Sequence, residues 1–286
     1  MQLLAPAKLN LTLDVLGRRP DGYHDLRMVM VSVDLADRVT LELGPGTGVS
    51  VTTDRGFLPS DRRNIAWQAA EAFARHTGHR VDGLSIAIEK RIPVCAGTAG
   101  GSSDGAAVLR GLNQMFRAGL SPRELARLGE EVGSDVPYCV LGGTALAEGR
   151  GERLTPLPPL PGCFLVLCKP AFSISTPELF ARIDGVKLRC RPSTGAMLQA
   201  LEARDLAGVA RRMYNVFEDV LPPQRAGEIR AIRSELVGCG ALGACMSGTG
   251  PTVFGLFDRE EPARAAWESL RSRYEETFLT RPVPPL

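Results

Sequence analysis

The stretch Pro93-Val94-Cys95-Ala96-Gly97-Thr98-Ala99-Gly100-Gly101-Ser102-Ser103-Asp104 decides how the chain is read. Before it, Leu84, Ile86 and Ile88 alternate with other residues and predict a strand; after it, Asp104 to Phe116 carries Leu109 and Leu112 at helical spacing. Strand, small-residue loop and helix in that order can form an anion cradle. Small residues let backbone N–H groups approach an anion closely, and the helix adds its positive N-terminal end. No Lys follows the glycines, so this is not the phosphate loop that ends in Gly-Lys-Ser or Gly-Lys-Thr, and its glycine spacing is not the dinucleotide fingerprint. On composition alone, a flexible surface loop is the competing reading.

Upstream, Leu9, Leu11 and Leu13 alternate as a strand, as do Val39, Leu41 and Leu43, then Val49, Val51 and Thr53. The glycine-rich turn Gly44 to Gly48 between the last two predicts a hairpin. Asn64 precedes an amphipathic helix, Ile65 to His76, that Gly78 closes. Downstream, Ser121-Pro-Arg-Glu124 is a capping box opening a helix to Glu131, and Gly133-Ser-Asp-Val-Pro137 breaks it. Gly149, Gly151, Pro156, Pro158, Pro159 and Pro161 mark a boundary, giving domains 1–155 and 156–286. The second half predicts helices at Ala196 to Met213, Gly227 to Val237 and Pro262 to Tyr274, with strands at Phe164 to Leu167 and Thr252 to Phe257. The Pro-rich end, Arg281 to Leu286, reads as a loose tail. A Gly-x-Gly-x-x-Gly does occur, Gly238 to Gly243, but it follows a helical pattern where a cofactor site needs a strand, which argues against a dinucleotide-dependent oxidoreductase.

Over 286 residues, 44% are hydrophobic and 23% charged, a globular mix that excludes a disordered or fibrous chain. Lys plus Arg number 34 against 32 acidic residues, so no large positive field points to nucleic acid. Seven Cys with no Cys-x-x-Cys pair, and three scattered His, give neither a disulfide framework nor a metal site of normal spacing, and suggest a reducing cytoplasm. No long apolar run suggests export or a membrane span. The sequence is silent on oligomeric state.

Three segments together resemble the GHMP kinase superfamily, whose members phosphorylate small-molecule alcohols with ATP: Pro6-Ala-Lys8-Leu-Asn10-Leu, the Gly/Ser loop, and Met246-Ser-Gly248-Thr-Gly250-Pro. Within it, Arg19-Pro-Asp-Gly-Tyr-His24 and Gly133-Ser-Asp-Val-Pro137 resemble the branch whose alcohol is 4-diphosphocytidyl-2-C-methyl-D-erythritol. The resemblance implies transfer of the ATP γ-phosphoryl group to its 2-hydroxyl, a step of the non-mevalonate (MEP) route to isoprenoid precursors. It also implies an α+β fold of two domains, the first ribosomal-protein-S5-like and the second ferredoxin-like, with the active site in the cleft between them.

By the same resemblance Asp135 is the catalytic base and Lys8 stands beside it to stabilise the alkoxide; a helix-capping Asp and an edge-strand Lys are the plain alternatives. Asn10 faces the same side of its strand as Lys8 and is expected to bond the erythritol end. Tyr23 and His24 grip the cytidine, and Phe180 stacks on cytosine. For ATP, the loop from Pro93 to Ser103 is the binding segment, its backbone from Gly97 to Ser103 holding the phosphates, and Asn64 and Lys90 align with the adenine pocket. Either Ser102 or Ser103 meets Mg²⁺, with no metal ligand assigned. The turn Ser247, Gly248, Gly250 closes the cleft or merely precedes a strand.

The loop departs from relatives at Cys95, Thr98 and Gly105; none of these removes a catalytic group, and Cys95 is expected to be a buried packing residue. Met30 replaces a frequent aromatic. The rivals are a GHMP kinase for another alcohol, disfavoured by Asp21-Gly-Tyr-His24, and a non-catalytic nucleotide sensor, which has no need of Lys8 and Asp135.

Overall fold

A computed structural model of the chain describes residues 1–188 and 190–286. Two long antiparallel strands, β1 (Gln2–Arg18) and β2 (His24–Leu43), form the spine of the first sheet. β1 is covered on both faces: Ala7, Leu9 and Leu11 enter one apolar core, and Ala5, Leu13 and Val15 the other. Its register against β2 shifts between Pro6 and Lys8 and again between Asn10 and Thr12. Bulges of this kind re-aim side chains, and these two bracket Lys8 and Asn10.

The sheet runs β3 (Val49–Thr53), β4 (Leu84–Glu89), β2, β1, β8 (Tyr214–Asn215), with β5 (Thr144–Gly149) on another length of β2 and β6 (Arg153–Pro156) beside β5. The hairpin expected across Gly44 to Gly48 does not form. β4 is inserted between β2 and β3, antiparallel to β2 and parallel to β3. Gly83 makes this possible, because a Cβ there would lie 2.0 Å from the carbonyl oxygen of Gly44.

Helices α1 (Ile65–Thr77), α2 (Gly100–Phe116), α3 (Pro122–Glu130) and α4 (Val136–Leu141) cover this sheet. The Asn64 side chain accepts from the Ala66 N–H to start α1, and left-handed Gly78 ends it. Ser121 and Glu124 form the full capping box of α3. α2 starts at Gly100, inside the Gly/Ser loop and four residues before the apolar pattern begins.

The second sheet is antiparallel throughout, in the order β11 (Glu276–Thr280), β7 (Phe164–Lys169), β10 (Val253–Phe257), β9 (Gly243–Met246). α8 (Pro223–Gly238) and α9 (Glu260–Arg271) pack on it through Ile229, Ile232 and Leu236, and Ala263, Ala266 and Leu270. Gly238 ends α8 ahead of β9, so the Gly-x-Gly-x-x-Gly run is a helix terminus. α5 (Thr176–Asp184) precedes the region predicted as one helix from 196 to 213, which is two, α6 (Thr194–Glu202) and α7 (Leu206–Arg212). Left-handed Arg204 breaks it, and the Asp205 side chain accepts from Gly208 N–H to begin α7.

The C-terminus is not a loose tail. Val283 N–H donates to Ser32 O and Leu286 N–H to Leu141 O, both backbone bonds, and Pro285 and Leu286 pack on Gly143 and Gly142. Among the described residues no helix is long and apolar enough to cross a membrane, and all seven cysteines are free thiols.

Candidate active site

The Gly/Ser loop takes its shape from alternation. Cys95, Gly97 and Ala99, every second residue, have φ of +52°, +75° and +57°. Alternating handedness is how successive backbone N–H groups come to share one concavity, and the N-terminus of α2 opens directly from it. Gly97 admits no side chain, since a Cβ would lie 2.1 Å from Ser247 O. Cys95 is exposed on the cavity wall, which corrects the buried packing role expected of it. Its backbone is left-handed, a conformation glycine adopts more readily than cysteine.

Three distant segments are tied together beneath the loop. The Ser247 hydroxyl donates to Gly97 O (2.9 Å) and accepts from Asn10 N–H (3.2 Å). Ser103 Oγ donates to Pro6 O (2.7 Å), and Lys8 N–H donates to Thr98 O (3.1 Å). Asn215, wholly buried, donates through Nδ2 to Met246 O and Gly248 O. Asn215 carried no sequence signal beyond being a lone amide in an apolar run. Ser247 is therefore a buried clamp, while Gly248, Thr249 and Gly250 line the cavity.

That cavity, of about 1200 Å³, runs along one side of the loop from Pro93 to Ser102. Tyr23, His24 and Phe180 line it at one end, and Lys8, Ser134 and Asp135 line it too. Lys8 Nζ is buried and lies 3.6 Å from Asp135 Oδ2, while donating to Asn10 Oδ1 at 2.8 Å. Asp135 sits at the N-terminus of α4, yet its carboxylate makes no capping bond, and its side chain is 32% exposed. The carboxylate is thus available to the cavity. Asn10, by contrast, is fully buried and off the cavity wall, with Nδ2 directed at Met28. Its amide oxygen accepts from Lys8 Nζ, which ties Asn10 to the Lys8–Asp135 pair.

Ser103 is fully buried and its hydroxyl is used, whereas Ser102 faces the cavity. Asn64 reaches the wall with its amide engaged as the α1 cap and as donor to Pro59 O. Lys90 is no free cation: its Nζ bonds both Asp37 and Asp104, two acidic residues that sequence reasoning missed. Asp37 also accepts from the N–H groups of Arg91 and Ile92. Burial pulls the Lys90 ammonium down, but the two carboxylates outweigh it and hold its pKa above the ordinary value. Burial, opposed by Lys90 and reinforced by Asp37, raises that of Asp104. The group thereby ties the end of β4 to the N-terminal part of α2, near Gly100, where a Cβ would stand 3.3 Å from Lys90 Nζ.

At the aromatic end, the His24 ring stacks on Phe180 with centroids 4.5 Å apart, and its Nε2 is 2.7 Å from Asp184 Oδ1. The edge of one ring meets the other between Phe180 and Phe217. Tyr23 is 55% exposed, with the Arg150 guanidinium over its ring. Asp184 and Arg150 were not foreseen. Both belong to surface segments whose approach to the cleft depends on tertiary packing. Met30 is buried in the core and off the cavity wall.

The cradle, the Lys8–Asp135 pair and the aromatic end define a small-molecule kinase, and comparison with known proteins agrees. Models of the GHMP kinases N terminal domain and the GHMP kinases C terminal region match residues 64–143 and 197–276. The chain belongs to the GHMP kinase superfamily, with its two-domain α+β fold.

Its place within that superfamily is among the 4-diphosphocytidyl-2-C-methyl-D-erythritol kinases. The kinase of that name from Alkaliphilus metalliredigens (strain QYMF) is 45% identical over 98% of this chain and 96% of its own length. A crystal structure of 4-(cytidine 5'-diphospho)-2C-methyl-D-erythritol kinase aligns over 99% of both chains with a TM-score of 0.81 at 34% identity. The homoserine kinase of Cytophaga hutchinsonii, 19% identical, covers 100% of this chain and 95% of its own at a TM-score of 0.76, which shows shared fold alone.

Proposed function

We propose that this kinase transfers the γ-phosphoryl group of ATP to the 2-hydroxyl of 4-diphosphocytidyl-2-C-methyl-D-erythritol, with Asp135 accepting the hydroxyl proton. The observation that carries the assignment is the uncapped Asp135 carboxylate, open to the cavity and 3.6 Å from a buried ammonium. Phosphoryl transfer asks the protein mainly for alignment and charge stabilisation. Asp135 receives the proton as the substrate oxygen attacks phosphorus, and Lys8 stabilises the charge growing on that oxygen. Asn10 acts through Lys8, holding its Nζ toward the reacting atoms.

The loop from Pro93 to Ser102 binds the ATP phosphates through its backbone. Among the described residues no cluster of three acidic, His or Cys side chains could hold a metal. A hydroxyl on the cavity wall suits a Mg²⁺ that arrives on phosphate oxygens, and Ser102 is the residue that would hold it. When bound, the ion neutralises phosphate charge. Tyr23, His24 and Phe180 receive the cytidine, with the His24 ring already stacked on one face of Phe180. Residues 1–155 and 156–286 serve as the working division into domains, and seven free thiols suit a reducing cytoplasm.

The test is ADP release from MgATP with this alcohol, with mevalonate and with homoserine. ADP release only with the cytidine-bearing alcohol supports the assignment; equal or greater release with another alcohol overturns it.

A further inference from the structure

The alcohol proposed above carries a diphosphate between its cytidine and the hydroxyl that reacts. Its anionic oxygens need donors, and the Gly/Ser loop is committed to ATP. Five cationic side chains line the cavity. Lys8 is occupied by Asn10 and Asp135, Lys90 is enclosed by Asp37 and Asp104, and Arg63 is bonded to Asp61. Arg18 is exposed at the end of β1. Arg150 is half-buried, and among the described residues no carboxylate lies within ion-pair distance of it.

Its position is set by the turn between β5 and β6. Gly149 and Gly151 flank it with φ of +71° and +118°, and the Arg150 backbone N–H donates to Glu152. Gly151 rests against Ser134, since a Cβ there would stand 3.3 Å from Ser134 O. The turn therefore abuts the residue preceding Asp135, while the guanidinium carbon sits 5.0 Å from the centre of the Tyr23 ring. Arg150 bridges the pyrimidine end and the reacting end, where the diphosphate of a substrate spanning them has to pass.

We propose that Arg150 is the diphosphate-binding residue of the alcohol substrate, donating its guanidinium N–H groups to the phosphate oxygens while its plane stays over Tyr23. A planar fork of donors matches phosphate geometry, and stacking on an aromatic ring pre-orients it. The proposal rests on the pyrimidine lying at Tyr23 and His24.

The experiment titrates cytidine and cytidine diphosphate into the whole enzyme by calorimetry, with the ATP site saturated by a non-hydrolysable ATP analogue. Arg150→Gln is expected to weaken cytidine diphosphate about tenfold or more, the worth of one charge-assisted hydrogen bond, and to leave cytidine unchanged. Arg150→Lys should recover part of the loss. In turnover, KM for the alcohol should rise while KM for ATP holds. Equal weakening of both ligands would mean that Arg150 only supports Tyr23, and no weakening, or weakening only in Arg18→Gln, would place the diphosphate elsewhere; each overturns the proposal. Tyr23→Ala separates the underlying reading: if cytidine binding ignores it, the pyrimidine end is misplaced and both fail, whereas loss of cytidine binding there with an unaffected Arg150→Gln sinks the diphosphate site alone.

Discussion

Lys8 is a buried cation whose useful position depends on one neutral neighbour. Its ammonium donates to Asn10 Oδ1 and stands 3.6 Å from the Asp135 carboxylate. An ammonium stripped of a hydrogen-bond partner inside a protein carries the desolvation cost without the compensation. Asn10→Ala is therefore expected to cost about 1–3 kcal/mol of stability and to lower kcat more than it raises either KM. Denaturant unfolding and steady-state kinetics on the variant check both. A variant with raised KM for the alcohol and unchanged kcat would instead make Asn10 a direct substrate contact. The sequence placed Lys8 and Asn10 on one side of a strand by simple alternation, and that is how they meet. It could not show that bulges on either side turn the pair inward and use up the amide.

Among the elements, α3 carries a pH effect whose largest cause is its own capping box. The Ser121 hydroxyl and then its backbone N–H donate to the Glu124 carboxylate and hold its pKa below the ordinary 4.5. A depressed carboxyl contributes stability above its unfolded value and loses it as pH falls through the folded one. Wild type is thus expected to lose denaturant resistance relative to Glu124→Gln on acidification below 4.5. Unfolding curves that stay parallel across that range would contradict it. The same local chemistry made α1 and α3 readable from sequence, because caps are written within a few residues. Strand partners are not so written. The turn Gly44 to Gly48 has the composition of a hairpin, yet β4, some forty residues on, takes the place beside β2 through the contact of Gly83 with Gly44. The start of α2 inside the Gly/Ser loop was equally hidden, since its first turn carries no apolar periodicity.

For the molecule as a whole, the active site is built where the two halves of the chain lock together. Ser247 reaches from the second half to the loop, Asn215 holds the turn that carries Ser247, and β8 adds a strand of the second half to the first sheet. The C-terminus completes the closure against Ser32 and Leu141. Proline content alone suggested a free tail, but prolines also suit an extended segment that docks without repeating a ladder. Deleting Val283 to Leu286 is expected to uncover Gly142 and Gly143 and lower the thermal midpoint by several degrees, as a loss of about 1–2 kcal/mol would in a protein of this size. An unchanged midpoint would restore the loose tail. What was legible was the motif set, because each motif is short and chemically constrained. The residues that join the motifs, Asn215, Asp37 and Arg150, are single polar side chains whose partners lie far away in sequence. The most direct test of the central claim is a single-turnover measurement with MgATP and 4-diphosphocytidyl-2-C-methyl-D-erythritol, comparing wild type with Asp135→Asn. Transfer slowed roughly 100-fold or more with ATP affinity retained is the predicted result; transfer at the wild-type rate would contradict the assignment of Asp135 as the base.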